Sequence, residues 1–81
     1  MNQTAKKTNM GELSILKISV GEKKITAEIS DGRTVSIPIA WFPRLIGGTK
    51  EQLGNFEISP AGYGIHWPDL DEDISIKSFI S

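Results

Sequence analysis

Three aspartates at alternate positions, Asp69, Asp71 and Asp73, form the clearest candidate metal-binding pattern in this sequence. Alternate carboxylates of this kind begin the calcium-binding loop of an EF-hand. A loop that started at Asp69 would require glycine at position 74 and glutamate at position 80, where the chain has Ile74 and Ile80. We therefore reject a calcium loop and interpret the aspartates as a solvated acidic segment that caps the last helix.

His66 is the only histidine, and it lies between Ile65 and Trp67, a few residues before the aspartates. A histidine oriented by an aspartate can act as a general base or a metal ligand. Transition-metal sites need three or four good ligands, however, and the chain has no cysteine and no second histidine. Strand alternation turns His66 away from its two neighbours. We predict a structural hydrogen bond from its ring to the acidic segment or to backbone, with partner contact and catalysis as the alternatives.

Large aromatic side chains near turns are candidates for either the core or a binding surface. Trp41, Phe42 and Trp67 are of this kind, and tryptophan is frequent at binding hot spots. A small domain needs the same side chains for its core. Trp41, Arg44 and Tyr63 would also suit a stacking platform for nucleic acid. The charge balance argues against that use, because nine basic side chains face ten acidic ones.

No pattern of nucleophilic catalysis or cofactor binding is present. The chain has no cysteine and no Gly-x-Ser-x-Gly elbow. Gly47-Gly48 lacks the Lys-Ser/Thr ending of a phosphate-binding loop. We therefore predict no enzyme activity, no cofactor and no catalytic or metal-binding residue.

The composition of the 81 residues fits one small domain with a thin core. No apolar run approaches the ~20 residues that cross a membrane. Residues 1–11 are polar, and we predict a disordered tail there, followed by a single domain over residues 12–81. Because the tail lacks the apolar stretch of a signal peptide, the expected location is the cytoplasm.

Five segments show the patterns of β-strands. β-Branched residues predict a strand over residues 14–20, and alternation predicts strands over 24–30, 33–39 and 55–59. A further short strand over 63–67 is predicted to pair with 55–59 as a hairpin. Asp31-Gly32 predicts a two-residue hairpin turn. Pro38 places its strand at an edge or ends it.

Three short helical turns complete the predicted fold. Pro43 suits the start of the first, and Thr49 and Gln52 fit a capping box at the start of the second. Ile76 and Phe79 lie at helical spacing in a predicted terminal turn over residues 74–81. Hairpin-length turns between strands predict an α+β domain, with an antiparallel sheet of about five strands and short helices packed on one face.

The C-terminal half of the chain resembles a known protein family. Residues 62–75, GYGIHWPDLDEDIS, resemble the signature of the domain of unknown function 2442 family of small bacterial proteins. Residues 31–33, 41–45 and 49–52 are also similar to that family. The resemblance covers residues 13–80, and Leu53 departs from it because the family pattern implies arginine there.

The resemblance implies a compact α+β fold and no agreed activity. Some relatives carry this domain ahead of a helix-turn-helix domain. Others stand alone, encoded beside another small protein in an arrangement that looks like a toxin–antitoxin pair. We expect a stand-alone member here.

A protein-interaction module is the function we predict, as an antitoxin-like or regulatory component of a two-gene system. The expected partner is the product of an adjacent gene or a second copy joined through a sheet edge. The predicted contact group is Trp41, Arg44, His66 and Trp67. Two alternatives stay open: a nucleic-acid-associated transcriptional regulator, and a metal- or ligand-sensing domain that uses His66 with nearby aspartates.

Overall fold

The computed structural model describes residues 13–80 as two small antiparallel sheets with short helices. The first sheet has the strand order β1-β2-β3 and the second the order β4-β5-β6. The strands are β1 (Ile15–Val20), β2 (Lys24–Ile29), β3 (Thr34–Pro38), β4 (Glu57–Ile58), β5 (Gly64–Trp67) and β6 (Glu72–Ser75). The α-helices are α1 (Pro43–Ile46), α2 (Lys50–Gly54) and α3 (Lys77–Ile80), and 3₁₀ turns cover Ile39–Trp41 and Pro60–Gly62.

The first sheet has one buried and one polar face, as the alternating sequence predicts. Ile25, Ala27 and Ile29 of β2 are buried, because successive side chains of a strand point to opposite faces. On the polar face, the hydroxyl groups of Thr26 and Ser36 form a hydrogen bond of 2.7 Å across β2 and β3. The sheet is therefore covered on one side only.

The turn between β2 and β3 is longer than the predicted two-residue turn. Gly32 N–H donates to Ile29 O at 2.9 Å, and Ile29 N–H donates to Arg33 O at 2.8 Å, so three residues connect the strands. Gly32 has φ of 98°, which completes the turn with a glycine bulge. Asp31 accepts from the Arg33 N–H at 3.0 Å and from its guanidinium at 2.7 Å. These bonds, the backbone one foremost, hold the pKa of Asp31 below its ordinary value.

The helical segment between the sheets begins as the sequence predicts. Pro43 is the first residue of α1, where its missing N–H leaves no bond unmade. Thr49 caps α2: its hydroxyl accepts from Gln52 N–H at 3.1 Å, and Gln52 Oε1 accepts from Thr49 N–H at 3.0 Å. The capping box is confirmed.

The second sheet contains a strand that the sequence analysis missed. The predicted β4–β5 hairpin is present, with Ile58 opposite Ile65. Residues 72–75, however, form β6 and pair with β5 instead of belonging to a loop and a terminal helix. α3 accordingly begins at Lys77, three residues after the predicted start.

Both sheets contribute to one hydrophobic core. Gly62 brings them together, because a Cβ at this position would lie 2.6 Å from Ile15 O and its φ is 71°. Tyr63 O, next to it, accepts from Ile76 N–H at 2.9 Å. The buried side chains are Leu13, Ile15, Ile18, Ile25, Ala27, Ile29, Ile37, Ile39, Leu45, Ile65, Trp67, Ile74, Ile76 and Phe79.

The α+β class is confirmed, and six strands are close to the predicted five. The strands are divided between two sheets, where a single sheet was expected. The predicted tail over residues 1–11 lies outside the described residues. Within the described part, no helix is long and apolar enough to cross a bilayer.

Candidate functional site

The acidic segment is the turn between β5 and β6, and the helices hold it in place. Arg44 of α1 donates through Nη1 to the backbone carbonyl of Asp71 at 2.6 Å and to its Oδ2 at 3.1 Å. Asp71 has φ of 52°, a conformation that is uncommon outside glycine. Asn55, after α2, donates from Nδ2 to Asp69 Oδ2 at 2.9 Å. The acidic segment is therefore a turn anchored to α1 and to Asn55. The prediction that it caps the last helix is wrong, because α3 begins at Lys77 and has no acidic residue in its first turn.

His66 bonds to the last of the three aspartates, as predicted. Its Nδ1 lies 2.8 Å from Asp73 Oδ1, directly across β5 and β6. Glu57 is opposite His66 on the other side, so the exposed face of the second sheet carries a row of acid, histidine and acid. No group of three or more histidine or acidic side chains within residues 13–80 is arranged to hold a metal ion.

The two tryptophans have opposite environments. Trp67 is fully buried, and its Nε1 donates to Leu53 O at 3.0 Å. The centroid of its ring lies 6.0 Å from the centroid of the Phe56 ring, and the two ring planes make an angle of 52°. Trp41 is 60% exposed in the 3₁₀ turn before α1. Trp67 thus has no surface to offer a partner, and we remove it from the contact group.

Of the four residues in the predicted contact group, two bond to the β5–β6 hairpin through their side chains: Arg44 from α1 and His66 from within β5. Arg44 and His66 each bond to an aspartate of the β5–β6 hairpin, but to different ones. The stacking platform of Trp41, Arg44 and Tyr63, against which the charge balance argued, has no supporting contact, because the Arg44 guanidinium donates to Asp71. Trp41 keeps an exposed ring and remains the best candidate of the group.

An apolar groove that the sequence analysis missed lies beside α1. It consists of two adjoining depressions of about 690 and 440 Å³, which share Glu22, Ile39 and Ile46 in their walls. Ile46 is 60% exposed between them. The remaining apolar walls are Val20, Pro38, Ala40, Leu45, Leu53 and Phe56.

The groove has no local sequence pattern, because its walls come from the first sheet, from α1 and α2, and from Phe56 just before β4. Its size is in the range of small binding sites. Its rim carries Lys23, Lys24 and Lys50. The one available signal in the sequence was Ile46, a large aliphatic side chain at the end of the helical turn that Pro43 begins.

Comparison with known proteins places the chain in a family. The family model described as "Protein of unknown function (DUF2442)" matches residues 15–80. A crystal structure of a protein of unknown function from Rhodospirillum rubrum is similar, with a TM-score of 0.69, 29% sequence identity and 83% of each chain covered. No curated protein matches this chain significantly. The chain therefore belongs to the DUF2442 family of proteins of unknown function.

Proposed function

We propose that this chain is a protein-interaction module that docks a partner protein on the face formed by α1 and the preceding 3₁₀ turn. The observation that carries the proposal is the exposure of Ile46, which lines the apolar groove, together with that of Trp41 in the 3₁₀ turn before α1; each side chain is 60% exposed. Trp41 belongs to the same turn as Ile39 and Ala40, which line that groove. Adjacent exposed apolar side chains around a groove are typical of a binding surface.

The β5–β6 hairpin supports this face. Trp67 of β5 bonds to the backbone of α2, and Arg44 of α1 bonds to the hairpin turn. Both helices are too short to hold a fixed position by themselves, because helices under about 12 residues are marginal in water. In this proposal Arg44 and His66 stabilise the β5–β6 hairpin and are not the main contacts to the partner.

The partner in this proposal is a protein encoded with this chain. The resemblance to stand-alone family members that occur in gene pairs supports it. The role is then antitoxin-like or regulatory, with the chain acting from the cytoplasm by occupying a surface of the second protein.

The chain acts in this proposal by binding, without a catalytic step. His66 and Asp73 resemble two members of a catalytic triad. The His66–Asp73 bond joins directly opposite residues of β5 and β6, which supports a structural role for this pair. Nucleic-acid binding has less support, because Arg44 donates to Asp71.

The test is the complex between this chain and the product of the adjacent gene, measured by native mass spectrometry and calorimetry. We expect binding, and we expect Ile46→Ala to weaken it about tenfold or more, as truncation of a hot-spot residue does. Leu16→Ala is the matched control, because Leu16 is 63% exposed on β1, in the first sheet. Failure of two folded proteins to associate, or equal effects of the two variants, would contradict the proposal.

A further inference from the structure

We infer that the apolar groove receives a segment of the partner in which apolar side chains are flanked by acidic ones. This inference rests on the proposed function and specifies the chemistry of the partner. The groove walls require apolar anchors. The charges on the rim determine which flanking residues are favoured.

The rim of the groove has an excess of positive charge. Lys23, Lys24 and Lys50 line it, against one acid, Glu22. None of the three lysines forms a salt bridge with another described residue. The whole chain has a net charge of −1, so this excess is local. Unpaired cations around an apolar floor favour an acidic partner, because like charges across an interface are costly.

The charge also varies along the groove. Lys23 and Lys24 lie at the end formed by the β1–β2 turn and Ala40. At the other end, Gly54 is shared with a polar cleft that contains Glu51 and Asp69. An acidic segment is attracted more strongly to the first end than to the second, where the depression has one cation, Lys50, and adjoins these two acids. We therefore expect the acidic residues of the partner to lie beside the β1–β2 turn.

The probes are three synthetic peptides with identical leucines at helical spacing and with Glu, Gln or Lys at all flanking positions. Titration into the intact chain is followed by calorimetry at low and at physiological salt. We expect the Glu peptide to bind about tenfold more tightly than the Lys peptide at low salt. The difference should shrink at physiological salt, where charges are screened beyond about 8 Å.

Charge reversal identifies the cations responsible. The double variant Lys23→Glu with Lys24→Glu should abolish or reverse the preference for the Glu peptide. Lys17→Glu is the control, because Lys17 is an exposed cation of β1 that does not line the groove. Circular dichroism of each variant checks that the fold is retained. The same variants are then tested on the complex with the natural partner, which the double reversal should weaken about tenfold while Lys17→Glu leaves it unchanged.

The outcomes separate this inference from the proposed function. If the Glu peptide does not bind, if the three peptides bind equally, or if the natural complex ignores the double reversal, the inference is wrong while the protein-docking function stands. If no protein partner binds at all, both are wrong. Binding of duplex DNA or RNA through Lys23 and Lys24, with no protein bound, also overturns both.

Discussion

The two tryptophans show how one residue type takes two roles in this chain. Trp67 lies on the inward face of β5, between a buried Ile65 and the hairpin turn, and its N–H has a backbone partner. Trp41 lies in a 3₁₀ turn and exposes most of its ring. The sequence allowed both roles for both residues. Alternation along β5 favoured the inward position for Trp67, whereas the irregular segment around Trp41 has no periodicity from which exposure follows.

Trp67→Phe should destabilise the fold, and Trp41→Phe should not. The first change removes buried ring atoms and leaves Leu53 O without its donor, which together should lower the free energy of unfolding by about 2 kcal/mol. The second acts on an exposed ring and should stay within about 0.5 kcal/mol. Urea unfolding followed by far-ultraviolet circular dichroism measures both. Equal losses for the two variants would contradict the assignment of Trp67 to the core.

The lowered pKa of Asp31 predicts that the folded chain loses stability in acid. Its pKa is lowered in the folded chain, chiefly by the Arg33 N–H, so its contribution is complete above its ordinary value of 3.8. That contribution disappears as the pH falls through the lowered folded value. Asp31→Asn should therefore flatten the decline of the urea midpoint below pH 3.8. Arg33→Gln keeps the backbone N–H that bonds to Asp31, so it should retain most of the decline in the urea midpoint. If Asp31→Asn left that decline unchanged, Asp31 would not be the group responsible.

Secondary-structure elements were predictable where the local pattern and the tertiary fold agree. The strands β1, β2 and β3 and the capping box of α2 follow from alternation and cap chemistry in contiguous residues. β6 was missed because acidic residues are rare in strands, and its formation depends on pairing with β5. The Arg44–Asp71 bond joins residues 27 positions apart, so no local pattern indicates it.

Gly62 allows the second sheet to approach β1 closely, and Gly62→Ala should strongly destabilise the fold. A Cβ there would lie 2.6 Å from Ile15 O and 2.8 Å from Ile15 N, and both are backbone atoms that have little room to move. The positive φ adds strain, so we expect a loss of about 3 kcal/mol or more in the free energy of unfolding.

The control is Gly47→Ala, because a Cβ at Gly47 meets nothing within 4 Å. This variant should be neutral within about 1 kcal/mol, since removing a glycine mainly restricts the unfolded chain. Thermal and urea unfolding compare the two variants. If Gly62→Ala unfolds at the same urea concentration as Gly47→Ala, the close contact between β1 and the second sheet is not required.

At the level of the protein as a unit, the two sheets share one set of buried side chains. Neither three-stranded sheet has a second layer of its own, and each buries its apolar face against the common core. A sheet separated from the other would expose its apolar face to water, at a cost of roughly 25 cal/mol per Å². The sheets should therefore unfold together. The sequence analysis predicted one sheet, so it could not raise the question of whether two sheets unfold as a unit.

Ile25→Ala in the Trp41→Phe background tests this cooperativity. Ile25 lies in β2 of the first sheet and is fully buried, whereas Trp67, then the sole tryptophan, reports on the second sheet. Loss of buried methyl groups should lower the free energy of unfolding by about 2–4 kcal/mol. In a two-state transition the Trp67 fluorescence midpoint must shift in urea by as much as the circular dichroism midpoint, because one equilibrium governs both signals. A fluorescence transition that stays in place while the circular dichroism transition moves would mean that the second sheet folds alone, and that the surface around α1 rests on one sheet instead of two.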